Sequence, residues 1–333
     1  MTIPNDPLLR WWVDASATNP LQVNAFRPSL LALMAFGPGR EPRFAGTGFI
    51  IAGSSGASFA ITAKHVLTEG VVPFQRPMPA YAPSSQFIPD RLTRPSIDPE
   101  KLKIVWMGSQ HAGMLNVLHA NYNDVLDISL FVIAPQEQHA QPFHPTTIPL
   151  DIRAPKVGDV IHMVSLVDMR VSEIVEPADQ TGMGQMISLN RRVSIRVGVV
   201  TAVHPSGFRQ YKWPCFTTSI PAEAGMSGGF VYLPSDGKTI AACGVVSADN
   251  STDEARIDWN KCGESVIASA WPALALSAPN SIPSTPETPT RTLYHFMLDG
   301  DMDAAVGGIE NLEVTLKPGT QDCSIGFKAS ALR

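Results

Sequence analysis

From Ser29 onward the chain is written in short apolar runs cut apart by Gly, Pro, Ser and Asp. SLLALMAF (29–36), GTGFIIAG (46–53) and FAITAKHVL (59–67) come first; LKIVWMG (102–108), DISLFVIA (127–134), DVIHMVSLV (159–167) and RRVSIRVGVVTAV (191–203) follow. These runs are rich in β-branched and aromatic residues and short enough to be strands. They predict an all-β barrel or sandwich. In the last run Val193, Ile195, Val197 and Val199 alternate with other residues, the pattern of a half-buried strand. FTTSI (216–220), PAEAGMSGGFVYLP (221–234) and TIAACGVVSA (239–248) continue the series, with an Asp-Gly turn at 235–238 marking a hairpin.

The segments around this body have a different texture. Residues 1–24 read as an extension with a short helix near Leu8–Trp12, where Trp11-Trp12 is a packing anchor. Residues 73–100 repeat proline, which denies ladder hydrogen bonds and predicts a long surface loop. CGESVIASAWPALALS (262–277) reads as a helix interrupted by Pro272, and residues 278–290 as a linker. The tail from Arg291 carries the strand-like pieces TLYHFML, LEVTL and CSIGF. The division expected is therefore an extension (1–24), a main domain (25–270), a helix and linker (271–290) and a C-terminal appendage (291–333). That appendage is either a docking module for a regulatory protein partner or a strand addition to the main body.

Composition narrows the function. Of the 333 residues 44% are apolar and 17% charged, enough to build a large core, while Gly (25) and Pro (29) suit many tight turns. The net charge is −5 with no basic stripe, which argues against nucleic acid as a partner. No apolar run approaches the roughly 20 residues of a membrane-spanning helix, and the first residues lack the pattern of a secretory signal. A soluble, cytoplasmic protein without membrane association is the expectation. Cys215, Cys243, Cys262 and Cys323 are far apart and form no metal-binding pair, so reduced, buried thiols and no metal are expected. His111, His119, His139 and His144 lie in loop-like sequence without ligand spacing.

Three segments carry candidate chemistry. TAKHVL puts His65 just after one strand, LDISLFVIA puts Asp127 at the start of another, and AGMSGGFV puts Ser227 in a glycine-flanked turn before a third. A serine hydroxyl is a weak nucleophile and needs a base, for which imidazole has the right pKa. That base needs a carboxylate to orient it, and a developing oxyanion needs fixed donors such as N–H groups in a tight turn. Asp124 competes with Asp127 for the carboxylate role; the apolar run directly after Asp127 favours the latter.

These blocks resemble the signature segments of the trypsin-like serine proteases, in particular the bacterial trypsin-like peptidases. They are Thr62-Ala63-Lys64-His65, Asp127-Ile128-Ser129-Leu130 and Gly225-Met226-Ser227-Gly228-Gly229, in the family's order. Gly46-Thr47-Gly48-Phe49 and the segments 157–166 and 236–247 match supporting blocks, so the resemblance spans roughly residues 29–250. It implies a chymotrypsin-like pair of six-stranded antiparallel β-barrels and a serine endopeptidase acting on protein or peptide substrates through an acyl-enzyme, with no cofactor. His65 would be the base, Asp127 its orienting carboxylate, Ser227 the nucleophile, and the N–H groups of Gly225 and Ser227 the oxyanion hole. Pro221 and Ala222 would floor the specificity pocket, and Ser247, Ala248 and Asp249 would form its wall. His65 and Asp127 stand 62 positions apart (127 − 65), more than in small family members, and the Pro-rich segment supplies the excess.

Two departures matter. Met226 stands where digestive-type members carry an aspartate that receives a freed N-terminus, so that route of activation is not expected. No acid lies at Pro221, so a small or apolar residue at the cleavage position is expected first and a basic one, met by Asp249, second. Two other functions compete: a catalytically silent protease-fold binding or scaffold protein, and an esterase-type hydrolase. The latter's fold requires a βαβ texture and the order Ser, Asp, His, whereas here His comes first.

Overall fold

The computed structural model describes residues 11–18, 20–37, 42–53, 56–70, 87–88, 92–108, 112–123, 125–135, 143–175, 186–209, 211–234, 239–249, 265–281, 288–303, 305–316, 318–319 and 323–328. Side chains are described for those residues except 70, 87–88, 170–175, 186–191 and 248–249. The protein is all-β, with two closed six-stranded antiparallel barrels in the chymotrypsin-like arrangement. The first comprises β1 (Leu30–Phe36), β2 (Pro42–Gly53), β3 (Ser58–Thr62), β4 (Leu102–Met107), β5 (Ala112–Asn123) and β6 (Ser129–Pro135). The second comprises β7 (Val160–Val175), β8 (Met186–His204), β9 (Cys215–Thr218), β10 (Phe230–Tyr232), β11 (Ala242–Asp249) and β12 (Ser265–Ser269).

In the first barrel the neighbours run β1-β2-β3-β6-β5-β4 and back to β1. In the second they run β7-β8-β9-β12-β11-β10 and back to β7, the same connectivity. Closure leaves no long unpaired edge in either barrel.

The apolar runs divide their side chains between two destinations. Leu31, Leu33, Ile50, Phe131 and Ile133 fill the first barrel; Ile161, Met163, Phe216, Val231 and Ile267 fill the second. The intervening residues, among them Leu30, Phe49, Leu130, Val164 and Phe230, join one large core between the barrels and the flanking segments. Phe49 and Phe230 meet there with ring centres 5.4 Å apart. Both faces of such strands are buried, which is why LLALMAF reads as a continuous apolar run rather than an alternating one.

Several local expectations are corrected. Trp12–Asp14 is a strand, not part of a helix; it pairs antiparallel with Arg196–Gly198 of β8. On β8 Ser194 and Arg196 are buried along with their apolar neighbours, so that strand is not half-buried. The presumed helix at 262–277 contains β12, which pairs with β9 and β11, followed by a buried 3₁₀ turn Trp271–Ala275 with Pro272 near its start. A strand Thr290–Thr292 and a helix Leu293–Leu298 replace the strand read in TLYHFML; Thr292 caps the helix by accepting from the His295 N–H. The Pro-rich segment contributes Phe87–Ile88 and Leu92–Thr93 as short paired strands, the first against Cys323–Phe327. The Asp-Gly turn at 235–238 lies outside the described residues.

The tail packs closely against the barrels. Ala305–Val306 adds in parallel to Leu150–Asp151, which itself pairs with Ala242 of β11. Leu293, Phe296, Leu312, Ile325 and Phe327 all join the large core, and Phe296 meets Phe59 of β3 edge-on. Among the described residues no helix is long and apolar enough to cross a membrane.

Candidate active site

Strands β3 and β6 are neighbours, with Thr62 paired to Ser129. The chain leaving β3 and the chain entering β6 therefore lie side by side at one barrel end. The one-turn helix Lys64–Leu67 begins beyond β3 and carries His65; Asp127 sits just ahead of β6. His65 Nδ1 lies 2.9 Å from Asp127 Oδ2 and 3.1 Å from Oδ1, and the His65 backbone N–H donates to Oδ1 at 3.1 Å. The Ser247 hydroxyl donates to Oδ2. Asp127 is only 5% exposed, so these donors replace its hydration.

With Nδ1–H given to Asp127, a neutral His65 keeps its lone pair on Nε2. Half of its side-chain surface is open. Burial pulls its pKa down, but the hydrogen bond and charge of Asp127, aided by Glu69, outweigh this and the opposing charge of Lys64, leaving it raised above 6.5.

Ser227 belongs to the second barrel, in the turn before β10. Gly225 (φ 91°) and Gly228 (φ 83°) take backbone conformations that L side chains rarely adopt. A Cβ on Gly228 would stand 1.9 Å from the Thr47 carbonyl oxygen and 2.2 Å from Thr62 Oγ1. The turn is tied to β11 through Gly228 N–H to the Val246 carbonyl (2.7 Å) and Val246 N–H to the Gly229 carbonyl (2.8 Å). Among the described residues the N–H groups of Gly225 and Ser227 donate to no protein acceptor, so both are unspent donors.

The Ser227 hydroxyl donates to the Ser247 carbonyl at 3.4 Å and makes no hydrogen bond to His65 among the described residues. Ser247 thus touches both halves of the site, its carbonyl toward Ser227 and its hydroxyl toward Asp127. It is the extra residue of a bulge: Val246 pairs with Ile267 and Ala248 with Val266. A bulge re-aims a side chain that regular alternation would send elsewhere.

Thr47 of β2 joins the barrels at this point. Its N–H donates to the Ser227 carbonyl (2.8 Å), its hydroxyl donates to the Gly225 carbonyl (3.0 Å), and the Leu166 N–H donates to that hydroxyl (3.0 Å).

Of the residues expected to line the specificity pocket, Pro221 and Ala222 are buried just ahead of the turn, Ser247 lies against Asp127, and Ala248 and Asp249 are placed only by their backbone pairing to Val266 and Ser265. Met226 is fully buried in the second barrel, its sulfur accepting from the Glu223 N–H at 3.3 Å. Asp124, His111, His139 and Cys262 lie outside the described residues. Cys215, Cys243 and Cys323 are buried thiols, and Cys323 donates to Thr292 Oγ1 at 3.6 Å. Among the described residues no group of His, Cys, Asp or Glu could hold a metal ion.

Motif reading passed over Thr47 as a tie and overlooked Arg196, a buried cation beneath the 221–223 segment. An arginine within an apolar strand run was the available signal for the latter.

No protein-family model and no curated protein matches the chain. Among solved structures it is similar to Rv3671c from M. tuberculosis H37Rv, a serine-to-alanine mutant in its inactive form, at 14% identity and a TM-score of 0.37, covering 77% of this chain and 87% of that one.

Proposed function

We propose that the chain is a serine endopeptidase that cleaves protein or peptide substrates through Ser227, His65 and Asp127. The observation that carries this reading is the Asp127 carboxylate bound to His65 Nδ1, across the barrel seam from a serine in a turn with two unspent N–H donors. Catalysis by this route requires the Ser227 hydroxyl to leave the Ser247 carbonyl and turn to His65 by rotation about its Cα–Cβ bond. His65 Nε2 then takes the hydroxyl proton as Oγ attacks the scissile carbonyl carbon. The oxyanion is met by the N–H groups of Gly225 and Ser227. His65 passes its proton to the leaving amine as the C–N bond breaks, leaving an acyl ester on Ser227. Water, deprotonated by His65, attacks that ester, and the proton returns to Ser227 as the carboxylic acid departs. No cofactor enters these steps.

The buried, uncharged Pro221 and Ala222 support a small or apolar residue at the cleavage position; strict Lys or Arg cleavage in a peptide library would instead point to Asp249. An esterase of the α/β-hydrolase type is disfavoured by the all-β architecture. The resting contact of Ser227 with the Ser247 carbonyl favours one alternative, a protease-fold binding protein whose site is shut.

Fluorophosphonate labelling of wild type, Ser227→Ala and His65→Ala separates the two. Labelling of wild type that vanishes in both variants supports the endopeptidase. Folded wild type that does not label supports the binding protein.

A further inference from the structure

Arg196 of β8 is 2% exposed, and its guanidinium lies under the segment that leads into the Ser227 turn. Nη1 donates to the Pro221 carbonyl at 2.8 Å and Nη2 bonds the Glu223 carboxylate, an ion pair whose acidic partner is 30% exposed. The Trp12 ring covers the guanidinium, with its centre 5.3 Å away. Trp12 is held there by the pairing of Trp12–Asp14 with Arg196–Gly198, continued by Ala15 N–H to the Ile195 carbonyl (2.8 Å) and Ile195 N–H to Ser16 Oγ (2.9 Å). The Ser219 hydroxyl donates to the Trp11 carbonyl.

From Glu223 the fixation passes directly to the turn: Met226 N–H donates to the Glu223 carbonyl at 3.0 Å, and the Glu223 N–H donates to the Met226 sulfur. Burying a guanidinium is costly unless it is paired and hydrogen-bonded. Among the described residues the Arg196 Nε is buried without a hydrogen-bond partner, and the Pro221 carbonyl, the Glu223 carboxylate and the Trp12 face, with the charge of Asp14 nearby, hold the cation in place.

We propose that Arg196 is a positioning residue for the Ser227 turn: clamped between Trp12 and Glu223, it fixes Pro221–Glu223 so that the N–H groups of Gly225 and Ser227 stand converged. The inference rests on the endopeptidase reading of the site. Met226 at the position before the nucleophile offers no carboxylate for an α-amino group, and an internal guanidinium acting three residues earlier takes over the task of holding this segment. Arg196 touches neither substrate nor reacting atoms; it acts through the turn.

The test measures kcat and KM on a cleaved peptide, together with the affinity of a matching peptide boronic acid, whose tetrahedral adduct needs the same donors. Rates are taken per titrated active site and folding is followed by thermal melting. Arg196→Met is expected to lower kcat about 100-fold, the scale of a lost oxyanion donor, with KM changed less than threefold and boronate affinity falling in step with kcat. Glu223→Gln, at a partly exposed position, provides a variant that folds if Arg196→Met does not. It is expected to lower kcat in the same manner to a smaller extent, and to add nothing in the Arg196→Met background. Active wild type with variants that keep full kcat and boronate affinity overturns the inference and leaves the endopeptidase reading intact. Wild type that neither cleaves nor labels overturns that reading itself, and the inference with it.

Discussion

His65 is caught between burial, which favours the neutral ring, and the Asp127 carboxylate, which favours the charged one; the carboxylate prevails and the pKa is raised. In the proposed mechanism His65 must be neutral to act as the base. Activity is therefore expected to fall as pH drops through a value above 6.5, read as the acid limb of a kcat/KM profile. Asp127→Asn moves that limb to lower pH and costs about 10⁴ in kcat through loss of the correct tautomer. The same raised pKa makes the imidazolium a stabilising species. Its contribution to folding is full below pH 6.5 and fades as pH rises through the folded-state value. Gly228 is constrained sterically: a Cβ would strike the Thr47 carbonyl while the backbone holds φ 83°. Gly228→Ala is expected to cost upwards of about 3 kcal/mol, combining backbone strain and overpacking, and to abolish labelling of Ser227. At this scale the sequence displayed His65, Asp127 and Ser227 because each sits in a short block whose neighbours carry the pattern. Arg196 and Thr47 act through bonds to residues 25–27 and 119–180 positions away (Thr47 to Ser227 being 227 − 47 = 180), which no local pattern encodes.

Among the elements, β2 does the most to join the two halves of the site, since Thr47 bonds the turn of one barrel from a strand of the other. Thr47→Val keeps the shape, removes the hydroxyl, and leaves the Leu166 N–H and the Gly225 carbonyl short of a buried partner. A loss of about 1–3 kcal/mol is expected, with kcat falling more than KM rises; denaturant melts beside steady-state kinetics check both. The strand runs of both barrels were legible because uninterrupted Val, Ile, Leu and Phe stretches bounded by turn residues have few other uses. Two of the misread elements share one cause. Ser265–Ser269 is a strand because β9 and β11 pair with its two edges, and Trp12–Asp14 is one because β8 offers an edge where β9 has departed. In each, pairing to distant chain overrode a local preference that was weak in the first place. The helix Leu293–Leu298 was hidden conversely: two turns of mixed apolar residues look alike at either period until Thr292 is recognised as a cap.

At the scale of the molecule, the two barrels repeat one strand order, and the C-terminal segments share the core between them. Leu293, Phe296, Leu312, Ile325 and Phe327 are worth roughly 2 kcal/mol each in buried surface. Their sum is on the order of the whole stability of a domain. A chain ended after Pro289 is therefore expected to be unfolded or to aggregate rather than to behave as a smaller active protein, and the full chain to melt in one transition by calorimetry. The buried thiols carry a further consequence. Burial drives Cys215 to a pKa of about 12, and drives Cys243 higher still, with the nearby Asp151 adding to it. Neither is a thiolate at neutral pH while the barrels stay closed, and neither can meet an alkylating reagent. At reagent concentrations where alkylation outpaces reclosing, their carboxymethylation thus runs as a clock on the opening of the second barrel, timing how long a native molecule lasts independently of whether Ser227 ever turns over a substrate.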